Sequence, residues 1–233
     1  VRAVAEVQPP GALFTNSPLA LVVLQGNQDF LSEDLLAFEV GYRNHPQDNI
    51  ILDLAGFFNL YDNLRTNELD LPTPVQDHLE IPLRVDNKAR GETYGVELGA
   101  NYQPVEHWRL RAAYTHLRVK LEVEETSSDA ITETFARENP RHQLHVHSSL
   151  QGPGGLNFDL IGRHSAALPT QSIPAYSTLD LRLGWNLSES MELALVGRNL
   201  LDSPHPEFIS SAGRNLPAEV EKGFYFALNW NVQ

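Results

Sequence analysis

Six arginines, Arg43, Arg109, Arg111, Arg163, Arg182 and Arg198, fall where an alternating strand turns them to one side, together with six carboxylates, Glu39, Asp53, Glu97, Asp159, Asp180 and Glu192. An arginine fork binds carboxylates and other anions, so these arginines are the candidates for contact with an anionic ligand. The balanced count favours a second use, a ladder of Arg to Asp/Glu pairs that keeps neighbouring strands in register. His142, His145 and His147 invite a metal reading, since His145 and His147 share a strand face and imidazole is a common ligand. No carboxylate is expected nearby on that face, and polar side chains are expected there in any case, so neither a metal site nor a cofactor is predicted. Ser165 follows His164 directly, and neighbours on a strand point to opposite faces, which removes that pair as a local dyad. No G-x-S-x-G, P-loop or H-E-x-x-H pattern occurs, and no catalytic residue is assigned.

The elements that must carry these side chains are long alternating strands. From Ala175 to Leu187 the chain sets Leu179, Leu181, Leu183, Trp185 and Leu187 on one face, with Asp180 and Arg182 on the other. The last segment repeats the pattern, Phe224, Phe226, Leu228, Trp230 and Val232 against Gly223, Tyr225, Ala227, Asn229 and Asn231. Further strands are predicted over 34–45, 50–65, 91–103, 108–122, 141–151, 156–165, 191–201 and 217–232, with a partial one at 1–7. Leu79 to Val85 is read as extending the 91–103 strand, against the weakening effect of Pro82. Average strands run about 5 to 6 residues, whereas a tilted strand crosses a bilayer in about 9 to 11.

Short turns at Pro46–Asn49, Pro104–His107, Gly152–Gly155 and Ser188–Ser190 alternate with long connections at Gln8–Glu33, Thr66–Arg90, Val123–Pro140, Ala166–Pro174 and Asp202–Leu216. Outer-membrane barrels have this asymmetry, with short periplasmic turns and long extracellular loops. Leu36, Phe38, Val40, Tyr42, Leu52, Leu54, Phe58, Tyr94, Val96, Leu98, Tyr102, Leu110 and Tyr114 take the outward face, and none is charged. An Arg on the lipid face at mid-membrane costs roughly 2 to 4 kcal/mol, which explains why the charges share the other side. Aromatic residues near strand ends, such as Tyr94, Tyr102, Trp108 and Trp230, suit interfacial girdles.

The chain has 233 residues, 42% of them hydrophobic, and no apolar run approaching the roughly 18 to 20 residues of a membrane helix. Zero cysteines remove disulfide scaffolds and thiolate chemistry. A net charge of -13, with no Lys/Arg cluster, argues against nucleic acid, whose phosphates demand a basic face. The acidic excess falls in the loops, for example Glu122, Glu124, Glu125, Asp129, Glu133 and Glu138. The chain opens VRAVAEVQPP without an initiating Met, and is expected to be the C-terminal piece of a longer protein.

In the stretches RAV (2–4), EVGYR (39–43), GFFNLYDNLRT (56–66), ETYGVELGANYQP (92–104), NPRHQL (139–144), IPAYSTLDLRLGW (173–185), VGRNLLD (196–202) and HPEF (205–208), the chain resembles the C-terminal β-barrel of TonB-dependent outer-membrane receptors. The resemblance implies an all-β fold: an incomplete antiparallel transmembrane barrel, about ten strands of a larger one of about 22 with a plugged lumen. It also implies a bacterial outer-membrane location and inward transport of a scarce ligand such as a ferric siderophore or cobalamin, not catalysis. The implied partners are outer-membrane lipid, a small-molecule ligand, and TonB through a plug region and TonB-contacting segment absent here. This fragment is not expected to transport alone. Ligand is expected to meet the Val123, Ala166 and Asp202 loops first, and His205 and Glu207 are read as loop structure. Family members usually end in an outward aromatic residue, where this chain ends Trp230-Asn231-Val232-Gln233. The alternative is a complete ten-stranded barrel acting as a pore or hydrolase, which requires ladder bonds between the first and last strands. A soluble β-sandwich would instead bury the leucine and phenylalanine faces against each other.

Overall fold

A computed structural model describes residues 3–7, 19–76, 78–201, 203–209 and 218–231. The start of the expected Gln8–Glu33 connection, most of the Asp202–Leu216 loop, Arg2 and Val232 lie outside these residues. The strands in chain order are β1 (Ala3–Val7), β2 (Leu19–Gln25), β3 (Asp34–Gln47), β4 (Ile50–Leu69), β5 (Thr73–Val75), β6 (His78–Val105), β7 (Trp108–Val123), β8 (His142–Gln151), β9 (Leu156–Ser165), β10 (Tyr176–Ser188), β11 (Met191–Arg198), β12 (His205–Pro206), β13 (Glu219–Val220) and β14 (Gly223–Trp230). One helical turn, α1 (Thr132–Phe135), interrupts the loop after β7. A 12-stranded sheet runs β1-β2-β6-β7-β8-β9-β10-β11-β14, with β3 paired to β4, and with β4 and β5 each paired to β6. Among the described residues no ladder joins β14 to β1 or β3, so the sheet is not closed and the small closed barrel is not formed.

The hairpins are meanders because their turns are too short for any other connection. The predicted extension of the third complete strand is present, since β6 runs unbroken from His78 through Pro82 to Val105. Its length creates a problem that the sequence pattern did not expose. The β7 side of β6 is paired only as far as Lys88, whose carbonyl accepts from Glu124 N at 2.8 Å. Beyond that point β2 takes the vacant edge in parallel register, Leu19 opposite His78 through Gln25 opposite Arg84, while β5 pairs the other edge antiparallel at Thr73–Glu80. One expectation is thereby corrected: the Gln8–Glu33 connection contains a strand, β2, and β1 is bonded to it. The physical reason is that a 28-residue strand offers backbone donors and acceptors beyond its shorter neighbour, and the apolar LALVVL run satisfies them. The fold is otherwise antiparallel.

Two compact units divide the chain. One comprises residues 1–37, 59–92 and 119–136, the other residues 38–58, 93–118 and 137–233. The first unit has a polar centre. Thr66 and Glu68, at the far end of β4, are buried, as are Asp129 and Thr132 in the loop after β7. Ser127 Oγ and Ser128 N both donate to Glu68 at 2.7 Å, and Lys88 Nζ lies 3.8 Å from the same carboxylate. Asp129 accepts from Asn67 N, Ile131 N and Thr132 N at 2.8 to 2.9 Å, and from the Thr132 hydroxyl at 2.8 Å. Leu69 N donates to Ser128 Oγ at 2.7 Å. Side chains of the loop therefore stand in for a strand along the end of β4. Burial alone would raise the two carboxyls, but the hydrogen bonds outweigh it and hold both below the ordinary carboxylate range; for Glu68 the Lys88 charge adds to the same effect.

The second unit carries the YGVE motif. A Cβ on Gly95 would sit inside contact distance of the His116 carbonyl and 2.8 Å from Phe57 Cζ, so only glycine lets β6 and β7 close over the Phe57 ring.

Asp129→Ala should free three backbone donors and destabilise the loop by about 2 to 4 kcal/mol, read as faster hydrogen exchange at Asn67, Ile131 and Thr132. Because both folded carboxyls are depressed, their stabilisation is present above the ordinary carboxylate range and is lost as pH falls through it. Protection of these amides, the exchange rate taken relative to the intrinsic rate at the same pH, should accordingly fall below about pH 4 and stay constant between about pH 6 and 8.

Candidate functional site

The register of β8 through β14 places one residue from each strand in line across the sheet. On the outward side Leu150, Phe158, Leu183, Leu195 and Phe226 form such a row, and Leu156, Trp185, Leu193 and Leu228 form the next. Apart from half-buried Leu156 these side chains are exposed, from 36% for Leu150 to 76% for Phe226, rather than folded against each other in a dry core. The soluble-sandwich reading fails on this point. Trp108 donates to Ser148 Oγ at 3.0 Å and Trp185 to the Gly154 carbonyl at 3.2 Å, which ties indole rings to strand ends near the short turns as an interfacial girdle requires.

The opposite side is charged and internally paired. His147 on β8 meets Asp159 on β9 at 3.0 Å, and Asp159 lies 3.5 Å from Arg182 on β10. Arg182 bonds Glu192 on β11 at 2.6 Å, and Glu192 accepts from Asn229 on β14 at 3.0 Å. Five successive strands are linked by one chain of hydrogen bonds. A second tier inverts the signs. Arg163 on β9 bonds Asp180 on β10 at 2.7 Å, Asp180 accepts from Asn199 N at 3.0 Å, and the Arg198 guanidinium lies 5.3 Å over the Tyr225 ring. Where one tier reads minus, plus, minus over Asp159, Arg182 and Glu192, the other reads plus, minus, plus over Arg163, Asp180 and Arg198. Arg43 pairs with Asp53 across the β3–β4 hairpin.

Of the six predicted arginines, Arg43, Arg163 and Arg182 thus have carboxylate partners, and Arg198 has an aromatic one. Arg109 and Arg111 are exposed on β7 and make no ion pair among the described residues. One expectation is corrected: a carboxylate does face the histidines, since Asp159 reaches His147 diagonally from the neighbouring strand, a relation that one strand's sequence does not display. Among the described residues no group of three His, Cys, Asp or Glu is placed to hold a metal ion. His164 meets a serine, but it is Ser177 on β10, at 2.9 Å, not its sequence neighbour. That pair lies on the outward face, where this unit's strands carry no carboxylate to orient it.

A recess of about 1130 Å³ opens on the charged side, lined by His145, Arg163, Arg182, Arg198, Tyr225 and Asn229 among others. Its rim is set by two loops. Ile173 and Leu168 are buried in the loop after β9, and His205, in the loop after β11, is buried and stacks on Tyr176 with ring centroids 4.3 Å apart. Asn199, with φ of 50°, donates to the Val220 carbonyl at 3.0 Å. His205 and Glu207 therefore belong to loop structure, and β12 and β13 form a small second sheet there.

A two-faced meander with an exposed apolar side, a wet ionic side and girdle tryptophans is the wall of an outer-membrane β-barrel. The sequence model of the family described as TonB dependent receptor-like, beta-barrel matches residues 6–200, and the chain belongs to that family. It is part of a bacterial outer-membrane protein. Among solved structures it is similar to the FrpB iron transporter of Neisseria meningitidis, with 12% identity and a TM-score of 0.68, covering 89% of this chain and 33% of that one. It is also similar to the ferric-catecholate import receptor Fiu of E. coli, with 16% identity and a TM-score of 0.62, covering 98% of this chain and 32% of that one. A third is the ferripyoverdine receptor of Pseudomonas aeruginosa bound to ferripyoverdine, with 16% identity and a TM-score of 0.61, covering 85% and 27%. The chain spans about a third of the length of these structures. No curated protein matches it in sequence.

Shifting a charge by one residue tests the two faces. Leu183→Arg should destabilise the protein in bilayers by about 2 to 4 kcal/mol in reversible urea unfolding. An arginine in place of Asn157, on the recess side, should change the same midpoint little.

Proposed function

We propose that this chain is the C-terminal part of the barrel of an outer-membrane receptor that takes up a scarce ligand, a ferric siderophore or cobalamin being the class in view, with energy delivered by TonB. Plug and TonB-contacting segments belong, on this reading, to the remainder of the protein. The reading is of transport, not of catalysis. The observation that carries it is the pairing of a lipid-facing apolar wall with a large ionic recess inside the same sheet, in a chain of this family.

The arginines divide into two roles on this proposal. Arg43, Arg163 and Arg182 hold strands in register through their carboxylates. Arg109, Arg111 and Arg198, which have no carboxylate bonded to them among the described residues, supply the positive charge that meets an anionic chelate or the plug. The loop after β9, held by buried Leu168 and Ile173, gives the entering ligand a rigid rim.

The test is uptake by the full-length receptor in iron-starved cells supplied with a panel of radiolabelled ferric chelates and cobalamin. One compound should be accumulated, and accumulation should stop when the proton gradient is collapsed. Arg109→Gln with Arg111→Gln should weaken binding of that compound by about tenfold, the order of one or two charge-assisted hydrogen bonds, without changing receptor abundance. Accumulation that survives collapse of the gradient would overturn the transport reading. Unchanged affinity in the double variant would overturn only the role given to the arginines.

A further inference from the structure

Spacing along β8 sets His145 beside His147, but the ladder between β7 and β8 brings a different pair together. His116 stands opposite His142. Leu117 N donates to the Arg141 carbonyl at 3.0 Å, which makes Leu117 and Arg141 a hydrogen-bonded pair, so His116 and His142 occupy the adjacent non-hydrogen-bonded position. Side chains approach most closely at such positions. Both rings lie on the outward face, His142 exposed and His116 half-buried, with their centroids 4.7 Å apart. Their Nδ1 atoms are 3.4 Å apart, and the Tyr114 hydroxyl oxygen, from the same face of β7, lies 2.8 Å from His142 Nδ1.

A phenol oxygen and an imidazole nitrogen thus both approach one ring nitrogen. His142 Nδ1 carries either one hydrogen or one lone pair, so a single hydrogen bond uses it fully and leaves the second approach unexplained. A metal ion explains both. With bonds of about 2.0 to 2.1 Å from the ion, two ligand atoms stand about 2.9 Å apart at a right angle and about 3.4 Å apart at the tetrahedral angle. The two separations around His142 Nδ1 match these values. The ligand set is two imidazoles and a phenol, with the remaining positions left to water. Along β6 and β7 beyond the site, Lys120 pairs with Glu92, and Arg90 with Glu122 at 2.8 Å, so these carboxylates have their own partners. Arg118, two residues past His116, opposes a cation by charge. Against it, the segment between β7 and β8 carries Glu124, Glu125, Asp129, Glu133 and Glu138 with a single Arg137 before Pro140.

We infer that His116, His142 and Tyr114 form a site for one divalent transition-metal ion. Imidazole and phenol oxygen suit Cu2+ and Zn2+ rather than Ca2+ or Mg2+, and the order of complex stability puts Cu2+ first. The ion ties β7 to β8 at the end of their shared ladder. From Trp108 beside the short turn to His116 the strand runs nine residues, about one tilted membrane crossing, so the tie falls at the loop-side interface. On binding, the Tyr114 hydroxyl proton leaves to water and the phenolate oxygen becomes the ligand. The site lies across the sheet from the ionic recess and does not depend on what the receptor transports.

The test uses the full receptor in detergent micelles, stripped of metal by a chelator and titrated with Cu2+, with pulsed electron spin resonance to count the imidazoles on the bound ion. One equivalent carrying two imidazole nitrogens should appear, and excess Zn2+ but not Ca2+ should displace it. His142→Gln should weaken its binding by about 100-fold, the upper end of what loss of an outer-shell partner costs. His116→Gln with His142→Gln should remove the signal. Tyr114→Phe should keep both imidazoles and lose the visible phenolate-to-copper absorption. An unmodified receptor that shows no two-imidazole copper signal would overturn the proposal, and that measurement needs no variant. Survival of the signal in the double variant, shown to be folded by heat-modifiable gel mobility, would overturn it equally. An absorption band missing from the unmodified receptor, or unchanged in Tyr114→Phe, would overturn the part given to the phenol.

Discussion

Hydrocarbon neither hydrogen-bonds a peptide group nor solvates a charge, and every level of this structure answers to that constraint. Backbone groups must be paired between strands, so the chain crosses as a meander with one-residue register precision. Side chains alternate across the sheet, so each strand is written with two compositions at once. Shifting the pairing of β10 by one residue would bring Arg182 into lipid and Leu183 into the recess, and the register is correspondingly pinned. The same rule explains the Trp108 and Trp185 contacts, in which the indole N–H finds a partner at the strand ends near the short turns.

On the wet side the requirement is different. Unpaired like charges at close range would push the strands apart, and the two tiers of alternating sign prevent this. Arg182 stands between Asp159 and Glu192, and Asp180 stands beside Arg163 with Arg198 next in line. Arg182 has an opposite charge along its own strand, at Asp180, and across it, at Asp159 and Glu192. The lattice favours one register: Arg182 stands opposite Asp159, and sliding β10 by two residues would put Asp180 or Gly184 there instead. Among the described residues, Arg109 and Arg111 stand outside these tiers without a carboxylate partner.

Strand length is the third determinant. A membrane crossing uses about nine to eleven residues, but β6 has 28 and β4 has 20, so both project well beyond the bilayer. Their projecting edges hold backbone groups that a neighbour of ordinary length does not reach. Two solutions occur in the first unit: β2 pairs the end of β6 in parallel, and the loop after β7 serves β4 through Glu68, Ser128 and Asp129. Acidic loop residues that look like solvated surface in the sequence are, at these positions, buried acceptors.

What the sequence by itself determined is whatever depends on a period of two and on turn chemistry. The alternation of the strands, the short turns, the outward leucines from 179 to 187, and the shared face of the six arginines and six carboxylates are all local properties, and local properties are visible in one dimension. What tertiary structure decided are relations between strands. That Asp159 faces His147, that His164 meets Ser177 rather than Ser165, that His116, His142 and Tyr114 converge at one interface, and that β2 leaves its loop to pair with β6 all depend on register and on relative strand length. Those quantities are set by the pairing of segments far apart in the chain, and no spacing along a single strand encodes them.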